Sequence, residues 1–304
     1  MRLCALSVDL DELPNYHAIH GLRPPEGAAA HLVYDLALRR LGDLAATAEV
    51  PLTLFAIGAD LARPESARAL AAMAARGHEI GNHTLDHRYD LTRLPRDEQR
   101  RQVEGGAAAI EAATGQRPSG FRAPGYTVSD GLYDVLEELG VGYGSSVFPC
   151  PAYYLAKAAA LGAIRARGRS SHSVLDDPRV LLAPTRPYRV GRPYQRRGTG
   201  LLELPVQVTR GLRLPFIGTT LTLLGAARAR LLTRMVVGEP LVNLELHGID
   251  VLDADDGFPE LRPHQPDARV PHVQKLLALG AVVDELRRAG YSFVRLDAAA
   301  RALG

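Results

Sequence analysis

Four short clusters in this sequence hold residue types that move protons or bind metals, and each falls where an apolar run ends. The first is Ser7-Val8-Asp9-Leu10-Asp11, two carboxylates one residue apart. Such a pair often only caps a turn, so alone it says little. The second, Gly77-His78-Glu79-Ile80-Gly81-Asn82-His83-Thr84-Leu85-Asp86-His87, spaces two histidines four apart. That spacing predicts that His83 and His87 share one face of a helical turn and reach a single ion. A catalytic zinc-like ion takes three nitrogen or carboxylate ligands from the protein and keeps one position for water. His83, His87 and one aspartate make that set, although a bare HxxxH more often caps a helix or faces solvent. The third cluster is Gly120-Phe121-Arg122-Ala123-Pro124-Gly125-Tyr126. Its proline and glycine force a fixed turn after a strand, which can aim a backbone N–H at a developing oxyanion. Arg122 would then point inward, where burial needs an acidic partner. The fourth, Leu244-Glu245-Leu246-His247-Gly248-Ile249-Asp250, closes an apolar strand with a histidine placed to protonate a leaving amine. A lone histidine there is more often a satisfied core residue.

Short β-branched runs alternate with longer runs of helical period, which predicts βα units and a mainly parallel sheet. Strands are expected at 2–8, 52–57, 79–81, 120–122, 142–145, 201–205, 241–246 and 293–296. Helices are expected at 31–49, 65–76, 96–114, 130–139, 154–167 and 273–289. Seven or eight such units in 304 residues predict one distorted (β/α) barrel spanning 1–304. An Arg/Pro/Tyr-rich insertion is expected at 148–200, after the fifth strand. In such barrels chemistry gathers at the C-terminal ends of the strands.

Composition bounds the partners. A net charge of +2 with 46% hydrophobic and 23% charged residues is ordinary for a soluble protein and gives no reason to expect nucleic-acid binding. No run reaches the ~18 apolar residues of a membrane span. The start at Met1 does not read as a signal peptide, and Cys4 and Cys150 make no disulfide framework. The expectation is a reduced, cytoplasmic protein; oligomeric state is left open.

Taken in order, the four clusters resemble the NodB-homology polysaccharide deacetylases, carbohydrate esterase family four, over nearly the whole chain. The resemblance lies in His83-Thr84-Leu85-Asp86-His87 preceded by the glycine-bounded 77–81, in Arg122 to Tyr126, and in Leu244 to His247. The paired aspartates are separated here by Leu10, a spacing associated with branches that include intracellular and lipid-linked-sugar deacylases. The resemblance implies a metal-dependent hydrolase that removes an acyl group, acetyl first, from a sugar or glycan. It implies that Asp11, His83 and His87 hold one divalent ion, zinc first with cobalt, nickel or manganese as alternatives. Asp9 would be the general base, Arg122 its partner, Tyr126 the oxyanion donor through its N–H, and His247 the general acid. Leu244 would line the acyl-methyl pocket, and Pro124 and Gly125 would shape the substrate site. The family's aspartate near the fifth strand has no counterpart in Gly142-Tyr143-Gly144-Ser145-Ser146, which leaves Asp250 as the candidate partner of His247. Two alternatives stand beside this reading: a C–N hydrolase of a small non-sugar amide, and an inactive carbohydrate-binding relative.

Three flanking features add expectations. His17 and His20 are read on a loop over the mouth, as substrate contacts or as exposed residues. The stretch 185–197 interleaves arginine with tyrosine and proline, and with Arg165, Arg167 and Arg169 it would suit a nucleotide- or lipid-linked sugar phosphate, or be a solvated basic face. The apolar run 212–227 reads as core or lid first and as a peripheral membrane element second.

Overall fold

The computed structural model describes residues 2–304. The chain runs β1 (Leu3–Asp9), α1 (Leu13–His20), α2 (Leu38–Ala48), β2 (Leu52–Ala56), α3 (Pro64–Ala75) and β3 (Glu79–Asn82). It continues with α4 (Arg96–Thr114), β4 (Gly120–Phe121), α5 (Asp130–Glu138), β5 (Tyr143–Gly144), α6 (Pro151–Ala166), β6 (Tyr188–Val190) and β7 (Arg197–Glu203). The last elements are α7 (Gly218–Arg234), β8 (Leu241–His247), α8 (His272–Arg288), β9 (Ser292–Phe293) and α9 (Leu296–Leu303).

The strands form one sheet in the order β6-β7-β5-β4-β3-β2-β1-β8, with β9 paired to the start of β1. All pairings are parallel except β6 against β7. The sheet curls until irregular backbone bridges its two ends. The Gln207 N–H donates to the Asn243 carbonyl at 3.0 Å, and Ile217 bridges Glu245. The result is the distorted α/β barrel read from the alternating runs.

Every residue of β1, β2 and β3 is buried, as expected of parallel strands covered on both faces. Strand alternation then sorts the side chains. Leu6, Val8, Leu54, Leu244 and Leu246 face outward into an apolar layer shared with Leu41 of α2, Leu70 of α3 and Leu279 of α8. Ser7, Asp9, Asn243, Glu245 and Arg122 face inward, into a network of polar contacts. There the Ser7 hydroxyl donates to Asn243 Oδ1 at 3.0 Å, and Arg122 donates to Ser7 Oγ at 2.9 Å. The barrel therefore has a polar interior inside an apolar shell.

The structure adds α1, α7, α9 and β6 to the expected elements. The last expected strand shortens to β9 because Leu296 opens α9. The segment between β5 and β7 carries α6, a helical turn at Pro178–Leu182 and β6. Of its arginines at 185–197, Arg186 pairs with Glu239 and Arg192 with Asp134, Arg189 and Arg197 bond the Gly200 and Pro187 carbonyls, and Tyr188 and Tyr194 are buried in the core. Arg165, Arg167 and Arg169 lie elsewhere, at the end of α6. The run 212–227 divides between an arm ending in the Val208–Pro215 bridge and the first half of α7, whose Leu221 is fully buried.

Candidate metal and catalytic centre

β1 ends at Asp9, so Asp9 and Asp11 leave the sheet at its C-terminal rim. β3 ends at the same rim, delivering His83. Asp11 Oδ1 lies 3.3 Å from His83 Nε2, and Asp11 Oδ2 lies 3.2 Å from His87 Nε2. The two imidazole Nε2 atoms are 3.2 Å apart. All three side chains are buried.

The expected helical turn is absent. Residues 83–90 form an irregular loop in which Thr84 and His87 take left-handed φ values of 70° and 51°. A β-branched residue in that region is strained, and side chains hold it there. The Thr84 N–H donates to Asn82 Oδ1 at 3.0 Å, the His87 N–H to Thr84 Oγ1 at 3.1 Å, and Asn82 Nδ2 to the Val103 carbonyl at 2.8 Å. Gly106 lets α4 approach: a Cβ there would meet Asn82 Oδ1 and come within 2.7 Å of the Thr84 carbonyl carbon.

His83 Nδ1 lies 2.8 Å from the Arg122 carbonyl and donates to it in the neutral tautomer, leaving the Nε2 lone pair toward Asp11 and His87. Burial pushes the Asp11 carboxyl up, but the two imidazoles outweigh it and hold the group well below the usual carboxylate range. Beside the triad, Arg122 donates to Asp9 Oδ1 at 2.8 Å, and both are essentially buried. The guanidinium also donates to the Ser145 carbonyl and Oγ, at 2.7 Å each, and lies 4.3 Å over the Phe55 ring. Asp9 Oδ2 is 3.8 Å from His83 Nε2.

His247 ends β8 opposite Asp9 in register. Its partner is not Asp250, which accepts the His247 backbone N–H at 2.8 Å and a bond from Thr219. His247 Nδ1 instead lies 2.8 Å from Glu245 Oε1, and Glu245 is fully buried. Burial alone would lower the imidazole's pKa, but the Glu245 carboxylate overrides it and raises it well above the ordinary value. Glu245 is the partner of His247 that motif spacing does not reveal. A signal for it exists, since positions 245 and 247 share one face of a strand. The same alternation corrects the place given to Leu244, which points into the outer apolar layer, away from the site.

The Tyr126 N–H, expected to serve an oxyanion, donates to the Ala123 carbonyl at 3.1 Å. In this conformation it could serve only as a shared donor. The turn itself has the fixed form that its proline and glycine predict, with Gly125 and Tyr126 both at φ 60°. Pro124 is buried, and Gly125 lines a small aromatic recess with Tyr126, Phe148 and Tyr153.

His17 and His20 belong to α1 and not to a loop. Both ring nitrogens of His17 are engaged away from the triad, by the Leu13 carbonyl at 2.8 Å and Glu260 at 3.0 Å. His20 bonds Gln265 and stacks on His264. The face of α1 that meets the site carries Asn15 and Ala18, which line a cleft of about 540 Å³ with His87, Tyr89 and His172. Tyr16, also on α1, packs edge-on against His247.

Residues 26–144 match the family model described as polysaccharide deacetylase. That span holds His83, His87 and the turn at 122–126, but not Asp9, Asp11 or His247. No curated protein matches the chain by sequence. The solved structure of a Mycobacterium smegmatis protein described as a polysaccharide deacetylase is similar, with a TM-score of 0.62 and 18% identity. That match covers 99% of this chain and 90% of that one. The Xyl-CE4 domain of a multidomain xylanase from the hindgut metagenome of Trinervitermes trinervoides gives 0.51 at 14% identity, over 98% and 88%. A CE4-family pseudoenzyme from Bacillus anthracis gives 0.51 at 15%, over 98% and 65%. At these identities the likeness is one of fold.

Proposed function

We propose that the chain is a member of the polysaccharide deacetylase family, whose model matches residues 26–144, and a metal-dependent hydrolase removing an N-acyl group from a sugar or glycan. One observation carries the reading: Asp11, His83 and His87 bring three ligand atoms together beside the buried Asp9–Arg122 pair.

The donor set fits a divalent cation. Two nitrogen lone pairs and a carboxylate facing one another at 3.2–3.3 Å repel unless a positive charge lies among them. Zinc suits this set best, with cobalt, nickel and manganese as alternatives. The chemistry such an ion supplies is polarisation of an acyl carbonyl and acidification of a water.

The chain's own residues would do the rest. Asp9 accepts the proton of the attacking water at Oδ2, because Oδ1 is held by Arg122. Arg122 balances the Asp9 charge in the barrel interior and, through its carbonyl, orients His83. His247 donates from Nε2 to the departing amine, its Nδ1 being held by Glu245. Asn15 and Ala18 of α1, with Tyr89 and His172, border the path by which a substrate reaches the triad.

One observation favours widening the substrate range. The inward position beside His247 carries a carboxylate, so β8 offers no apolar pocket for an acyl methyl. A formyl group carries no methyl, and N-formyl sugars therefore belong beside N-acetyl sugars. The test is a panel of N-acetylated and N-formylated sugars, free, nucleotide-linked and lipid-linked, scored for acetate or formate with and without zinc. Zinc-dependent acid release from at least one is expected. No release from any, with the protein fully loaded, would leave the binding-protein alternative.

A further inference from the structure

Helix α6 lies across the catalytic turn with its inner face anchored. Tyr153 packs against Phe148 and Tyr126, with ring centroids 4.9 and 5.8 Å apart, and Lys157 Nζ donates to the Gly125 carbonyl at 3.1 Å. Its outer face is anomalous for a solvated helix. The exposed positions include Ala152, Leu155, Ala156, Ala159, Ala160 and Ala163, and no charged or hydrogen-bonding side chain stands among them before Arg165. By contrast α4, also at the surface, presents Arg96, Asp97, Arg101 and Glu104. A surface helix normally puts its polar residues outward. Leu155 is 68% exposed at the centre of this apolar face.

A second observation points to the partner's charge. From 151 to 175 the chain has no aspartate or glutamate, and α6 runs into Arg165, Arg167 and Arg169, all exposed. Among the described residues none of the three pairs with a carboxylate, and Arg167 bonds only the Ala163 carbonyl at its own helix end. An apolar helical face continuous with unpaired arginines matches an anionic bilayer surface, where the helix lies at the headgroup boundary and the guanidinium groups meet lipid phosphates. Pairing with a second copy would bury the small residues but give the arginines no counter-charge.

We infer that the outer face of α6 and the basic segment behind it dock on an anionic lipid surface, holding the catalytic mouth against it. The inference does not depend on the proposed chemistry, because docking needs no substrate. The test is flotation of the full chain with vesicles of phosphatidylcholine alone and of equal parts phosphatidylcholine and phosphatidylglycerol. Flotation only with the anionic vesicles is expected, weakening as salt is raised. Replacing Arg165, Arg167 and Arg169 together by glutamine is expected to weaken partitioning on the order of 100-fold. Leu155→Asp with Ala159→Glu is expected to abolish it, with an unchanged thermal midpoint showing that both variants fold. Failure of the wild type to float, equal flotation on neutral vesicles, or unimpaired variants would overturn the inference. So would a dimer, seen by light scattering, that the Leu155/Ala159 variant splits without affecting flotation.

Discussion

Glu245→Gln isolates the contact that sets the acid. The amide keeps the volume of the buried side chain and removes its charge. With charge centres about 4 Å apart and an effective dielectric near 20, the ion pair is worth about 4 kcal/mol. Burial of the imidazolium opposes this pairing, and with the carboxylate gone burial is left to pull the His247 pKa down. The sign follows from what a general acid must do. His247 has to carry a proton, and a raised pKa keeps that proton until pH rises through it. In the wild type the basic limb of kcat/KM against pH should therefore lie well above 6.5, the ordinary histidine value. In Glu245→Gln the limb should move down toward that value, with activity at acid pH largely kept. Asp250→Asn should leave the limb in place, because Asp250 bonds the His247 backbone N–H and Thr219, not the imidazole ring. A limb that stays put in Glu245→Gln, or that moves in Asp250→Asn instead, would refute the Glu245–His247 pairing.

Further expectations concern the other parts of the centre. Asp9→Asn should lower kcat by at least ~100-fold while leaving zinc bound, read by single-turnover acid release and metal content. Arg122→Met strands the buried Asp9 charge and should cost about 3–5 kcal/mol in urea unfolding. Gly106→Ala drives a methyl into the Asn82–Thr84 support of the histidine loop, and zinc affinity should fall at least ~10-fold by competition with a chelator. Lys157, buried against aromatic rings, has its pKa pulled down to about 8 from 10.5. Its folded-state pKa is the lower one, so stability is lost as pH falls through this window. Lys157→Met should accordingly stabilise the protein at pH 7 by roughly 2 kcal/mol after the lost hydrogen bond, and progressively less toward pH 10, in thermal melts.

What the sequence could disclose follows from where each instruction is written. α4 was legible to the residue because a nineteen-residue run ends in Gly115, whose φ of 73° caps it. β1 and β8 were legible as apolar runs ending in ionisable residues. α1 was not, since its eight residues include Pro14 and Asn15 and carry no apolar stripe. α7 hid because Gly225, at φ 72°, interrupts its pattern. In the centre, residue types named the triad, but a spacing of four suggested a helical turn where contacts from Asn82 and Gly106, and from Gln102, which accepts the Leu85 and Asp86 N–H groups at 2.9 Å each, impose a loop. Leu244 was placed at the site and Glu245 given no role because motif matching ignores the two-residue alternation of a strand. His17 drew attention as a histidine near the mouth, yet its partners, Leu13 and Glu260, are set by the fold of α1 and the 259–261 turn.

The most direct measurement is calorimetric titration of zinc into metal-stripped protein, comparing the wild type with Asp11→Asn, His83→Gln and Asp9→Asn. One site per chain is expected in the wild type and in Asp9→Asn, with the affinity reduced at least ~100-fold in the other two. Zinc binding undiminished by Asp11→Asn and His83→Gln, or no binding by the wild type, would contradict a metal centre at this triad.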